Sequence, residues 1–182
     1  MNRSCDLTGY VAHSLDKSPA EPKTYMTKTN RLLIDAFGGR QKALLVEPDD
    51  APRAVAGIIP ALGIRAGYYD EFMEVLGERG IASMVTDLPG QGDSPIEASR
   101  NTQWTYRHLV HELAESVHGS AREVVPDVPF VWIGHSVGGQ VGMMHAGLRP
   151  DAVDGVALVA SGSPHLEAWG GFQRFKFSMG TA

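Results

Sequence analysis

One cysteine, Cys5, stands in a chain of 182 residues, so no intrachain disulfide forms and the fold must rest on its core. No apolar run approaches the roughly 20 residues that a membrane-spanning helix needs. The first residues carry Arg3, Asp6 and His13 where a secretory signal would be apolar. A net charge of −5 gives no basic surface of the kind that marks a nucleic-acid or anionic-membrane partner. There is no internal repeat and no low-complexity tract. What is there, 43% hydrophobic and 20% charged residues, is the composition of an ordinary globular domain, with the cytoplasm as the default location.

Residues 1–25 are polar, carry Pro19 and Pro22 and lack periodicity, so they read as an arm ahead of a domain over 26–182. Two apolar runs, at 31–37 and 42–48, flank a Gly38-Gly39 turn signal and predict an antiparallel hairpin. The unbroken apolar run 54–59 predicts a strand buried on both faces, ending at Pro60-Ala61-Leu62-Gly63. A helix over 69–79 follows, with Phe72, Val75 and Leu76 as its apolar face and Gly80 as its stop. A strand at 81–86 runs into the turn-rich loop 87–95, and an amphipathic helix over 104–122 places Trp104, Leu109, Leu113 and Val117 on one face. Further strands are predicted at 130–133 and 154–160. Strands alternating with helices predict an α/β fold, a doubly wound, mostly parallel sheet with an antiparallel N-terminal hairpin. That arrangement puts the loops 60–68, 87–96 and 134–138 and the segment 161–166 along one edge.

The chemically richest stretch is Val131-Trp132-Ile133-Gly134-His135-Ser136-Val137-Gly138-Gly139. It reads as a buried strand, then Gly-x-Ser-x-Gly, then a helix of small residues. A serine at so sharp a turn needs a strained backbone, and Gly134 and Gly138 remove the Cβ atoms that would clash. The hydroxyl then stands at a helix N-terminus, whose dipole and free N–H groups favour a developing anion. The plainer reading is a glycine-rich turn with an incidental serine. Two upstream segments add weight: Ile58-Ile59-Pro60-Ala61-Leu62-Gly63, and Asp87-Leu88-Pro89-Gly90-Gln91-Gly92-Asp93-Ser94, of the form Asp-x-x-Gly-x-Gly-x-Ser.

With these in order, the chain resembles the α/β-hydrolase superfamily from about residue 31 to 165, in the Gly-His-Ser-x-Gly-Gly form of esterase, lysophospholipase-like and serine-aminopeptidase-like members. Pro-Ala-Leu-Gly stands where many members have His-Gly. The resemblance implies Ser136 as nucleophile, with the backbone N–H groups of Val137 and Leu62 as oxyanion donors. It implies no cofactor and no metal, and a small-molecule acyl substrate that is an ester, thioester or amide. Acyl transfer or cofactor-free peroxidase chemistry on the same elbow stays open, since fold does not fix function.

A serine needs a base, and the base needs an orienting carboxylate. In the superfamily both follow the serine. Here only His145, His165, Asp151, Asp154 and Glu167 do, and none matches the family's positions. The chain thus reads as the N-terminal two-thirds of the fold, and a catalytically silent binding module is the alternative to an active hydrolase. His135 reads as packing beside the serine, His145 as packing or surface, and His108, His111 and His118 as a solvated helix face. His165, at the serine's rim, is the candidate substitute base. Asp87 and Asp93 read as loop-fixing residues. The strand at 155–160 becomes an apolar edge, covered by the aromatic tail from Trp169, by a partner, or by self-association with a second copy.

Overall fold

A computed structural model describes residues 25–97, 99 and 104–162. His165, the aromatic tail and all of the expected N-terminal arm except Tyr25 lie outside the described residues. Tyr25 is tied down, its N–H donating to the Glu78 carbonyl at 3.1 Å.

Strands β1 (Thr27–Ala36) and β2 (Gly39–Pro48) form the predicted hairpin, in register from Thr27 opposite Pro48 to Ala36 opposite Gly39. The turn is not Gly38-Gly39. It falls one residue earlier, on Phe37 and Gly38 with φ of 54° and 68°, and Gly39 already pairs in β2. Two positive φ values give the turn the twist of its strands, and this hairpin accepts the cost of a phenylalanine there. Strands β3 (Ala54–Ile59), β4 (Ile81–Thr86), β5 (Phe130–His135) and β6 (Gly155–Val159) complete a six-stranded sheet in the order β1-β2-β4-β3-β5-β6. The β1–β2 and β2–β4 pairs are antiparallel and the remaining three are parallel. This is the mostly parallel α/β sheet with an antiparallel start that the sequence predicts.

Helix α1 (Asp70–Gly77), entered through a 3₁₀ turn at Ala66–Tyr69, covers one face. There Tyr69 and Met73 pack with Val46, Ile58 and Val85. Helices α2 (106–124) and α3 (Val137–Leu148) cover the other. Leu109, Leu113, Val117 and Val141 from them bury Val55, Met84, Phe130 and Trp132. The apolar face assigned to α1 holds for Leu76, which packs on this core, and is corrected for the rest: Met73 and Gly77 are buried, whereas Phe72 and Val75 are each 42% exposed. Gly77 wins its inward place because a Cβ there would lie 2.6 Å from Thr27 Cγ2, so only glycine lets the helix sit down on β1 and β2. Helix α2 keeps its predicted face, but its middle, Leu109–Ala114, widens to π geometry. Strand β6 ends the sheet among the described residues, with Leu158 50% and Val159 47% exposed. No helix among the described residues is long and apolar enough to cross a membrane.

A polar chain runs between the two helices of the larger core. The Trp132 indole N–H, a donor only, reaches His145 Nδ1 at 3.1 Å, so that nitrogen carries no proton. His145 Nε2 must then be the protonated one and donates to Glu115 Oε2 at 2.9 Å. Arg149 closes the chain on Glu115 at 2.8 Å and, more than His145 does, holds that carboxyl below its usual range. Burial pushes the His145 imidazole below its ordinary range, although Glu115 pulls the other way. A proton on Nδ1 would also face the indole N–H, donor against donor. His118, expected on a solvated face, is instead buried, its ring edge-on to Phe130 at 4.5 Å and its Nε2 without a partner. Burial lowers its basicity first, and the neighbouring His145 adds to this. His108 is committed locally, accepting the Thr105 N–H at 3.0 Å as a helix cap.

Two outcomes follow for stability. Unfolded histidine takes up a proton near pH ~6.5, while folded His118 and His145 resist it, so stability is complete above that pH and falls below it. The urea midpoint at pH 5 should lie below that at pH 7.5. The drop should shrink in His145→Gln, which keeps one acceptor and one donor but cannot titrate, and shrink further with His118→Phe added; an unchanged drop in the double variant would rule these groups out. Separately, a Cβ on Gly57 would stand 2.3 Å from Trp132 Cζ3 and 2.8 Å from Phe130 Cζ. Gly57→Ala should therefore cost about 1–3 kcal/mol in chemical denaturation, and a wild-type midpoint would show that the rings can yield.

Candidate active site

The order of strands creates the crevice. From β3 the chain turns through α1 on one face to β4; from β4 it returns across α2 on the other face to β5, and through α3 to β6. Strands β3 and β5 are therefore neighbours whose outgoing loops leave toward opposite faces. A cleft opens where such loops part, at the carboxyl ends of the strands. The residues at its lips are Pro60-Ala61-Leu62-Gly63 after β3 and Ser136-Val137 after β5.

Ser136 occupies a backbone conformation, φ 53° and ψ −116°, that a residue with a side chain seldom adopts. Such strain costs on the order of 1–3 kcal/mol and persists only where surroundings impose it. Here they do. The Ser136 N–H donates to the Val159 carbonyl at 2.9 Å, and its carbonyl accepts the Ser161 hydroxyl at 2.8 Å and the Gly139 N–H at 3.1 Å. Two glycines make the turn possible by close approach. A Cβ on Gly134 would fall 2.2 Å from Gly139 Cα, and one on Gly138 would fall 2.0 Å from the Ile59 carbonyl oxygen. The first turn of α3 is thus pressed against the end of β3. The Val137 N–H, at the helix start, has no intrahelical acceptor. Ser161 and Gly162 do lie at this rim, as the sequence places them, with the Gly162 carbonyl accepting Gln140 Nε2 at 2.7 Å.

On the facing lip, the amides divide cleanly. The Ala61 N–H donates to the Tyr69 hydroxyl at 3.1 Å and the Gly63 N–H to Gln91 Oε1 at 2.6 Å. Leu62 lies between them, 62% exposed and with its N–H without an acceptor among the described residues. The Tyr69 hydroxyl also meets His135 Nδ1 at 3.0 Å, with the two rings edge to face. The one phenol oxygen thus joins the loop after β3 to the residue before Ser136. Burial raises the Tyr69 phenol above its ordinary range, so it stays a neutral O–H.

Asp87 is a loop-fixing residue, as read: its Oδ1 accepts the Ala66 N–H at 2.7 Å and its Oδ2 the Asp93 N–H at 2.8 Å. Asp93 differs, since its carboxylate is exposed and pairs with Lys42 at 3.0 Å, which lowers its pKa. Beside them a cavity of about 720 Å³ is lined by Arg31, Lys42, Arg65, Tyr68, Asp87 and Asp93, of mixed sign. Among the described residues no imidazole or carboxylate is hydrogen-bonded to the Ser136 hydroxyl. His135 packs beside the serine and is bonded to Tyr69, and His145 is committed to Trp132 and Glu115. No group of metal-ligating side chains occurs among the described residues. Sequence reasoning missed Tyr69 and Gln91. The available signal for the first was a tyrosine entering a buried helix face, whose hydroxyl must find a partner.

The chain matches the model of the serine aminopeptidase S33 family over residues 50–176. It is 27% identical over 128 residues to monoglyceride lipase of Rattus norvegicus, covering 70% of this chain and 41% of that protein. Identity to the Homo sapiens monoglyceride lipase is 25% with the same coverage, so the chain spans about two-fifths of the length of the curated relatives it matches. A thermostable carboxyl esterase from Bacillus coagulans superposes with a TM-score of 0.62 at 18% identity, over 71% of this chain and 43% of that one. Est1E from Butyrivibrio proteoclasticus superposes with a TM-score of 0.61 at 22% identity, over 69% and 50%. These likenesses carry the fold. With the sheet order, the elbow and the family match together, the chain belongs to the serine aminopeptidase S33 family of α/β-hydrolases.

Proposed function

We propose that the protein is a serine hydrolase in which Ser136 forms an acyl-enzyme, with a carboxylic ester as the best-supported substrate class ahead of thioesters and amides. The observation that carries this reading is the positive-φ Ser136 at the switch-point cleft, with the Val137 and Leu62 amides without an acceptor among the described residues. Similarity to monoglyceride lipases supports the choice of ester. Ser136 Oγ attacks the acyl carbonyl and its proton passes to an imidazole base. The N–H groups of Val137 and Leu62 hold the oxyanion, each worth roughly 3 kcal/mol in comparable sites. Collapse expels the alcohol, which takes up that proton, and water repeats the sequence to release the acid. With His135 and His145 engaged elsewhere, the base comes from outside the described residues, and His165 is the candidate within this chain.

That engagement also supports a second reading, a catalytically silent domain that binds without turning over. Labelling the 182-residue chain with a fluorophosphonate, read by intact mass, separates the two. Rapid stoichiometric labelling, abolished in Ser136→Ala and slowed at least about 100-fold in His165→Ala, is expected for the hydrolase. A folded chain that stays unlabelled would exclude an activated Ser136 and leave the binding module.

A further inference from the structure

We propose that Tyr69 and Gln91 are positioning residues that clamp the loop after β3 and reserve the Leu62 N–H for the oxyanion. The inference rests on the reading of Ser136 as nucleophile and Leu62 as donor. Its observation is the division of three consecutive amides. Ala61 and Gly63 are each satisfied by a side chain from elsewhere in the fold, at 3.1 Å and 2.6 Å, while the amide between them has no acceptor among the described residues.

The two clamps have independent origins. Gln91 comes from the loop after β4, reaching across to the loop after β3. Tyr69 comes from the 3₁₀ turn that leads into α1, and that turn is itself anchored where Ala66 donates to Asp87. A bare glycine- and proline-rich loop would sample many backbone arrangements. Two fixed amides leave the peptide between them little freedom. The Tyr69 hydroxyl has a second partner, His135 Nδ1, on the residue before the nucleophile. One phenol therefore spans the cleft from loop to elbow, and it sets the distance between the two lips that share the oxyanion. The aromatic ring contributes core packing as well, since Tyr69 is buried against Val46, Ile58 and Met73. Tyr69→Phe separates the two roles by removing the hydroxyl and leaving the ring.

The test uses the 182-residue chain with Tyr69→Phe, Gln91→Ala and Ser136→Ala. Amide hydrogen exchange should rise at least about tenfold at Ala61 in Tyr69→Phe and at Gly63 in Gln91→Ala, with β3 and β4 amides and the denaturation midpoint little changed. In p-nitrophenyl butyrate hydrolysis, each variant should lose about 10- to 100-fold in kcat with KM within about threefold, because the loss falls on the transition state. The fluorophosphonate rate should fall in parallel. Wild-type exchange at Ala61 and Gly63 in the variants overturns the clamp. So does faster exchange with kcat unchanged, which would leave both residues structural. If the wild-type chain neither labels nor turns over, the reading of Ser136 fails, and the positioning role falls with it even where exchange reports the hydrogen bonds.

Discussion

The closest constraint among the described residues is the contact between the first turn of α3 and the end of β3. Gly138 sits where a Cβ would be 2.0 Å from the Ile59 carbonyl oxygen, so the helix lies against the neighbouring strand with no side chain between. Everything at the cleft depends on that approach. It brings the Val137 amide toward the loop that holds Leu62, and it forces Ser136 into its left-handed backbone geometry at the head of the helix. The strain is held by bonds from β6, through the Val159 carbonyl and the Ser161 hydroxyl, so the edge strand is part of the elbow's support.

The second dependence is topological. Because the chain visits β4 before crossing back to β5, the lips of the cleft come from segments more than seventy residues apart in sequence, Leu62 and Ser136. Their relative placement is not left to the loops. Asp87 fastens the 3₁₀ turn to the β4 loop, Gln91 takes the Gly63 amide, and Tyr69 reaches both Ala61 and His135. Loops at a strand end carry chemistry well only when a rigid scaffold fixes them. In this fold the scaffold's grip is made of side-chain-to-backbone hydrogen bonds.

Under the elbow lies a different kind of support. Trp132, His145, Glu115 and Arg149 form a continuous polar chain through the larger core, and the direction of each bond is set by the indole, which can only donate. Burial lowers the basicity of His145, and both of its ring nitrogens are occupied, by Trp132 and by Glu115. His135 Nδ1 is bonded to the Tyr69 hydroxyl. Two of the histidines nearest Ser136 in sequence are thus held by partners in the fold.

Much of this was legible in the chain. Periodicity and apolar runs determined the strands, their antiparallel start and the α/β class, because a strand buried on both faces has no room for polar residues. The spacing Gly134-x-Ser136-x-Gly138 determined the elbow, since only glycine tolerates those approaches. The phase of α1 was not legible. Phe72 and Val75 are as apolar as Met73, and what turned the helix was Gly77 meeting Thr27, fifty residues away in sequence. Nor did composition reveal that His118 is buried or that Tyr69 and Gln91 grip the loop beside Leu62. Local propensity reports on neighbours along the chain. Which amide is taken and which is left free is decided by side chains arriving from other strands, and only the tertiary structure brings those together.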